Sequence, residues 1–361
     1  MVKSIVISSC GIGFGHASRD KAIYDALKDK YKTRIYSYGE GFEFLKKNGV
    51  DVCGFSGISY KKQMYSLNIF SEMMRNLASL GKIYKDYNDF ADELDKDAPN
   101  LIITDSEPFA YFYAYKRKIP IIVMTNVLST AANYPALPKK LKTRGLALQN
   151  IALKTYIELT NTKRSTFVEP SIGKKHPKVI NMKYSDLIVR KKPEEAKQIN
   201  IGKEFYYTSV GSATEDALIE NIRKVLPKFK NRFFVIVADK IKEELRGENF
   251  ILLPFLKDPF PYIKGCSGII APAGHTIISE ALVYGKPILA VPVKNHLEQV
   301  VNAFLVEKQG FGLACYDAAN LEKSMREFFS RLPKFEDNIK KAGFKGDGAE
   351  DVAKLVSKML E

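Results

Sequence analysis

The chain opens MVKSIVISSCGIGFGHASR, in which Gly11, Gly13 and Gly15 stand at alternate positions and His16 follows at once. Glycine tolerates tight turns and lets other groups approach the backbone. Imidazole is the side chain that gains and loses a proton near neutral pH. A second run, IITDSEPFA, closes on two carboxylates, Asp105 and Glu107. These can orient an imidazole or bind a substrate, and a polar residue before EPFAYFYAY can equally cap a helix. Much later, SGIIAPAGHTIISEALVYGKPILAVPVKNHLEQVVNAF places Gly274, His275 and Thr276 where a strand ends and a helix must begin. The unsatisfied N–H groups of a helix N-terminus lie at the positive end of its dipole and bind phosphate. Gly274 leaves room for a phosphate and Thr276 adds a hydroxyl donor. Glu280, one turn into the helix, can accept from both hydroxyls of a ribose. Glu298, Gln299 and Asn302 follow the next strand. The chemistry these residues suggest is binding of a nucleoside diphosphate.

Short apolar runs rich in β-branched residues must position these groups. VKSIVISS, TRIYSYG, LIITDSE and PIIVMTN read as buried parallel strands, with helical spacing between them in RDKAIYDALKDKY and GFEFLKKNG. The pattern restarts with EFYYTSVGS, RFFVIVAD, NFILLPF, GCSGIIAPAG and KPILAVPV, separated by helical segments such as EDALIENIRKVL. The fold class is therefore α/β, with two Rossmann-like doubly wound parallel sheets. The charged, apolar-poor segment RKKPEEAKQINIGK is the expected seam, giving domains 1–190 and 191–361. Ligands in open α/β sheets bind beyond the carboxyl ends of the strands, so a cleft between the lobes is the expected site. The segments YKKQMYSLNIFSEMMRNLASLGKIYKDY and ALPKKLKTRGLALQNIALKTYIEL are helical in pattern, and each reads either as core-facing helix or as a surface that touches lipid.

With 361 residues the chain exceeds one ordinary core and suits two domains. Its cysteines, Cys10, Cys53, Cys266 and Cys315, are far apart and form no C-x-x-C pair, so free thiols in a reducing cytoplasm are expected. No apolar stretch is long enough to span a membrane and no secretory leader is evident. The net charge of +15 is uneven: residues 131–200 carry 15 Lys/Arg against 5 Asp/Glu. Such a segment attracts an anionic partner or simply solubilises a surface. No nucleic-acid-binding module accompanies the charge, so nucleic acid is an unfavoured partner. No D-x-D ends a strand and no His/Cys cluster has ligand spacing, so no metal is expected. The first turn reads G-x-G-x-G-H, not G-x-G-x-x-G, and no acidic residue closes TRIYSYG, which argues against a dinucleotide.

The run from Gly274 through Thr276, Glu280, Gly285-Lys-Pro287 and Pro292 to Glu298-Gln299 and Asn302-Ala303 resembles the donor-nucleotide motif of GT-B UDP-sugar glycosyltransferases. It is most similar to the MurG-like family (glycosyltransferase family 28 type), whose bacterial members add N-acetylglucosamine to a lipid-linked peptidoglycan precursor. One departure is that Ile277 stands where a small hydroxyl residue is expected, three before the glutamate, with Thr276 displaced by one. The opening GIGFGH resembles the glycine-rich turn and histidine with which such enzymes begin. The resemblance implies that Gly13 and Gly15 face the acceptor or the donor diphosphate, and that His16 is a general base. It also implies that Ser209, Gly211 and Ser212 touch the diphosphate, that Phe255 and Leu256 meet the uracil, and that the last helix crosses back to the first lobe. Of the other histidines, His275 is read as a phosphate contact, His296 as a loop-packing residue, and His176 lies in the basic region.

The implied activity is inverting, metal-independent transfer of an N-acetylhexosamine or hexose from a UDP-sugar to a hydroxyl acceptor, lipid-linked or soluble. The UDP-sugar is then substrate and no separate cofactor is needed. A UDP-N-acetylglucosamine 2-epimerase-type enzyme and a non-catalytic nucleotide-sugar-binding protein share the architecture and stand as alternatives. The first lobe would carry the acceptor. There, Lys139, Lys140, Lys142 and Arg144 precede an apolar stripe of Leu146, Leu148, Ile151, Ala152 and Tyr156. That pairing suits a cytoplasmic enzyme peripheral to an anionic membrane.

Overall fold

A computed structural model of the chain describes residues 2–57, 80–172, 178–210 and 215–361. Gly211, Ser212, His176 and most of the segment 60–87 fall outside the described residues. The described residues form two compact units, one of Met1–Arg190 with Asp347–Glu361 and one of Lys191–Gly346.

The first unit holds a seven-stranded sheet. Its strands are β1 (Ser4–Ser9), β2 (Lys32–Ser37), β3 (Val52–Gly54), β4 (Leu101–Asp105), β5 (Ile121–Met124), β6 (Ser165–Pro170) and β7 (Met182–Ser185). They lie in the order β3-β2-β1-β4-β5-β6-β7, and every pairing is parallel. Continuous apolar runs such as Ile5-Val-Ile7 and Leu101-Ile-Ile103 suit a sheet covered on both faces, and all six of these residues are fully buried. One face is covered by α1 (Gly15–Leu27) and α2 (Gly39–Lys47), through Ile23, Leu27, Phe44 and Leu45. The other is covered by α3 (Leu80–Asp97), α4 (Pro108–Arg117), α5 (Val127–Asn133) and α6 (Arg144–Thr160), through Phe90, Leu94, Phe109, Tyr113, Leu128 and Ile157.

The second unit repeats the plan. Its strands are β8 (Tyr206–Val210), β9 (Phe234–Ala238), β10 (Leu245–Arg246), β11 (Phe250–Leu253), β12 (Gly268–Ala271), β13 (Ile288–Ala290) and β14 (Gly312–Ala314). The order is β10-β11-β9-β8-β12-β13-β14, with β10 alone antiparallel. The helices are α7 (Glu215–Val225), α8 (Phe260–Gly265), α9 (His275–Val283), α10 (Leu297–Gln309) and α11 (Leu321–Ala342). The final helix, α12 (Gly348–Leu360), lies in the first unit: Ala349, Val352 and Val356 join the core that contains Ile23 and Leu27. Lys30 and Tyr31 both reach the Ser357 hydroxyl at 3.0 Å.

Each sheet reverses its winding once, between β1 and β4 in the first unit and between β8 and β12 in the second. Adjacent loops part there, and the carboxyl ends of the two strands leave a crevice that suits a ligand. His16 and Asp105 stand at the first reversal, and Ser209 and Gly274 at the second.

Candidate active site

In the first unit the turn after β1 is shaped by two of its glycines. A Cβ on Gly11 would lie 2.0 Å from the Tyr38 carbonyl oxygen, so the backbone passes where only glycine fits. Gly13 has φ +68°, a left-handed conformation that costs other residues about 1 kcal/mol. Its N–H donates to Glu40 Oε2 at 3.0 Å, so a carboxylate from α2 already occupies that anion-binding amide. Gly15 then begins α1, and His16 is its second residue.

His16 Nδ1 lies 2.9 Å from Asp105 Oδ1, and the ring is 25% exposed. An ionised carboxylate only accepts, so in the neutral ring the proton sits on Nδ1 and Nε2 is the basic nitrogen. Nε2 makes no hydrogen bond among the described residues. Asp105 is fully buried and is also gripped by Arg19, whose Nε donates to Oδ2 at 2.8 Å and whose Nη2 donates to Oδ1 at 2.6 Å. Burial opposes ionisation of Asp105, but the Arg19 guanidinium and the His16 ring outweigh it and hold the carboxyl well below its usual range.

Of the two carboxylates that the sequence offers at this strand end, the structure brings only Asp105 to His16. Ser106 takes a left-handed φ of +57°, and the chain turns so that Glu107 points away and caps α4, accepting from Ala110 N–H at 2.9 Å. Burial pushes the Glu107 carboxyl up to about 7. Arg19 is not legible as a site residue in the sequence, although its spacing of three from His16 puts both on one face of a helix. Tyr156 falls in the α6 stripe, which the sequence leaves as either core-facing or lipid-touching. Its hydroxyl is buried in a region where the charges of Asp105 and Glu107 act on it.

In the second unit, α9 begins at His275 with Gly274 at its N-cap and no capping side chain there. Gly274 has an ordinary φ, and a Cβ on it would meet only Ile277, at 4.0 Å. The use of glycine here is open space rather than backbone freedom. His275 is buried, with Nδ1 3.3 Å from the Ser279 hydroxyl, which itself donates to the His275 carbonyl at 2.9 Å. Thr276 is half-buried and Glu280 is 5% exposed. Asn302 donates to the Ala273 carbonyl at 3.1 Å and so fixes the turn that leads into α9. Gln299 Oε1 accepts from Val293 N–H at 3.0 Å, which ties down the loop before α10. Glu298 lies in the first turn of α10. His296 is the N-cap of α10, its Nδ1 accepting from Gln299 N–H at 3.4 Å, and burial lowers the pKa of its ring. Ser209 is half-buried near the end of β8, while Phe255 is 40% exposed and Leu256 half-buried after β11.

All four cysteines are free thiols, and burial pushes Cys10 up to about 12. Among the described residues no group of three or more His, Cys, Asp or Glu is placed to hold a metal ion, and no helix is long and apolar enough to cross a membrane.

Two α/β units, each built on a largely parallel seven-stranded sheet, are the frame of a GT-B glycosyltransferase. The family model of glycosyl transferase family 1 matches residues 3–333, and the chain belongs to that family. An uncharacterised glycosyltransferase of Methanosarcina acetivorans is 26% identical, the match covering 99% of this chain and 98% of the relative. The UDP-N-acetylglucosamine–N-acetylmuramyl-(pentapeptide) pyrophosphoryl-undecaprenol N-acetylglucosamine transferase of Thermosipho africanus is 22% identical, covering 83% and 82%. Among solved structures, the calicheamicin glycosyltransferase CalG4 superposes with a TM-score of 0.70 at 11% identity, covering 100% of this chain and 98% of its own. The protein is a glycosyltransferase.

Proposed function

We propose that the protein transfers an N-acetylhexosamine or hexose from a UDP-sugar to a hydroxyl acceptor in one inverting displacement. The observation that carries this reading is the His16–Asp105 pair, with Nδ1 held and Nε2 left as the base. Nε2 takes the proton of the acceptor hydroxyl as its oxygen forms the bond to the anomeric carbon. The bond from that carbon to the diphosphate breaks, and its electron pair leaves with UDP. The imidazolium that forms is stabilised by the Asp105 carboxylate. The N-terminus of α9, with Gly274 and Thr276, would hold the diphosphate, and Glu280 the ribose hydroxyls. The donor named for the Thermosipho relative, UDP-N-acetylglucosamine, supports a UDP-sugar here.

The test is a melting-temperature screen with UDP- and dTDP-sugars. A ligand at 100 times its Kd should stabilise the protein by about 2.7 kcal/mol. Glu280→Ala should weaken UDP binding by about 1–3 kcal/mol through lost charge-assisted hydrogen bonds. A protein whose melting ignores every UDP-sugar, or whose UDP affinity survives Glu280→Ala in calorimetry, does not bind its donor this way.

A lipid-linked acceptor is supported by the face of α6, with the stripe rephased. Leu146 turns into the core, whereas Leu148, Ile151 and Leu159 are 54%, 59% and 67% exposed. Phe112 and Tyr115 on α4 are also exposed, and the Tyr111 hydroxyl ties α4 to the Leu159 carbonyl at 3.1 Å. Lys139 and Lys140 are exposed just before α6, and Arg144 is exposed at its first position. Each basic residue near an anionic surface is worth about 1 kcal/mol. The protein should sediment with phosphatidylserine vesicles at low salt and be released at high salt. Changing Lys139, Lys140, Lys142 and Arg144 to Gln should abolish sedimentation. A protein that stays in the supernatant at low salt has a soluble acceptor.

A further inference from the structure

Four residues after His16, α1 buries a second carboxyl that the reaction above does not use. Asp20 has no exposed surface, and neither of its carboxyl oxygens accepts a hydrogen bond among the described residues. His16, Arg19 and Asp20 fall at spacings of three and four, so all three lie on the face of α1 that meets the ends of β1 and β4. A carboxylate buried without donors is too costly to persist, so the group must hold its proton. A protonated carboxyl is a donor and needs an acceptor. Asp105, bound by both His16 and Arg19 on this same face of α1, is the ionised carboxylate at hand to accept. Asp105 Oδ1 already takes His16 and Arg19, while Oδ2 takes only the Arg19 Nε.

We infer that Asp20 is a positioning residue that works as a neutral acid, donating its proton to the Asp105 carboxylate and so fixing how strongly Asp105 holds His16. The inference deepens the assignment of His16 as base and rests on it. Burial first, then the negative charge of Asp105, push the Asp20 carboxyl well above its ordinary range, while the Arg19 charge opposes the rise. With Asp20 neutral, the Arg19 and Asp105 charges cancel, and His16 faces a compensated carboxylate rather than two negative charges.

The groups facing this cluster are Arg19 and His16 on α1, Ser9 at the end of β1 and Cys10 after it. Asp105 ends β4, Glu107 caps α4 and Tyr156 comes from α6. The helix packed behind α1 contributes the apolar Ala349, Val352 and Val356. Glu107 titrates near 7 and is common to every variant, so its effect cancels in differences between them.

The experiment needs no substrate. Infrared spectra at pH 7 should show a carboxylic-acid C=O band in the native protein that Asp20→Asn removes. Four histidines make a histidine-labelled protein readable by NMR, with His16 assigned through His16→Gln. The amide of Asp20→Asn is neutral and can still donate, so the His16 titration should not move. Asp20→Ala removes the donor, leaves Asp105 a stronger acceptor, and should raise the His16 titration by roughly 0.5–1 pH unit. If Asp20 is ionised in the native protein, the Asn variant loses a negative charge beside His16 and its titration falls. That fall, or an infrared difference without the acid band, overturns the inference. An unmoved His16 in Asp20→Ala overturns the positioning role. Circular dichroism confirms that the isosteric Asn variant is folded, and the infrared arm needs only that variant and the native protein. Failure of the base assignment would appear instead as unchanged turnover in His16→Ala, with these spectra unaffected.

Discussion

His16→Ala is expected to lower turnover by roughly 10²–10⁴-fold while UDP affinity changes little, because a general base acts on the acceptor and only in the transition state. The geometry makes this a clean test. His16 is a quarter exposed, and its removal leaves Asp105 bound to Arg19 by two hydrogen bonds of 2.8 and 2.6 Å. No buried charge is stranded, so the melting temperature should hardly move. Asp105→Ala is the instructive contrast. It removes the carboxylate that pairs with Arg19, which is only 6% exposed, and removal of one partner of a buried pair costs about 3–5 kcal/mol. That variant should lose both turnover and stability, whereas His16→Ala should lose turnover alone. Steady-state rates beside thermal melts separate the two. Near-normal turnover in His16→Ala would leave His16 a structural residue and move the search for the base to other groups of the site.

The periodicity that predicts alternating strands and helices also shows why this pair is partly legible. β1, β4, β8 and β12 are apolar, β-branched and end in turn residues, so the strand ends that bear His16, Asp105, Ser209 and Gly274 stand out. Three of the strands that the sequence does not announce have no such signal. β3 is three partly exposed residues, β7 reads Met-Lys-Tyr-Ser with no buried position, and β14 is three residues between a helix and a loop. All three are edge strands, paired on one side only. Asp105 can be named but not chosen over Glu107, because the choice depends on the backbone reversal at Ser106. Arg19 and Asp20 are invisible for a different reason. Charged residues in a helix ordinarily face water, and only the packing of α1 over the ends of β1 and β4 turns these two inward. The expected stripe on α6 is misphased because Leu146 and Leu148 are two apart and cannot share a helical face. Asn302 and Gln299 read as substrate-facing in the sequence, but their amides are engaged with the backbone of the adjacent loops. That distinction depends on tertiary contacts that spacing does not carry.

The second large effect concerns stability against pH. Glu169, near the end of β6, has no exposed surface. Oε1 accepts from Ser129 N–H at 2.8 Å, and Oε2 has no partner among the described residues. Burial pushes this carboxyl from 4.5 up to about 8, against the single hydrogen bond that opposes the rise. A carboxyl raised in the folded state keeps its proton where the unfolded chain has lost it. Between about 4.5 and 8 the native state therefore binds more protons, and stability falls as pH rises. A tenfold change in proton affinity corresponds to about 1.4 kcal/mol, so Glu169 can account for up to roughly 5 kcal/mol across that window. Glu107 acts in the same direction over the lower part of the window, its carboxyl being raised to about 7. Asp105 has the opposite sign, because its depressed value gives stability that is present above the ordinary carboxylate range and lost only in acid. Glu169→Gln removes the titration while keeping shape and neutrality. The variant should match the native protein at pH 5 and be more stable by about 2–5 kcal/mol at pH 8.5. Urea unfolding at the two pH values measures the difference. Effects of Glu107, Asp20 and the histidines are shared by both proteins and cancel. If the native protein and Glu169→Gln lose stability in parallel from pH 5 to 8.5, then Glu169 titrates in the fold as it does in the unfolded chain, and its burial does not hold the proton.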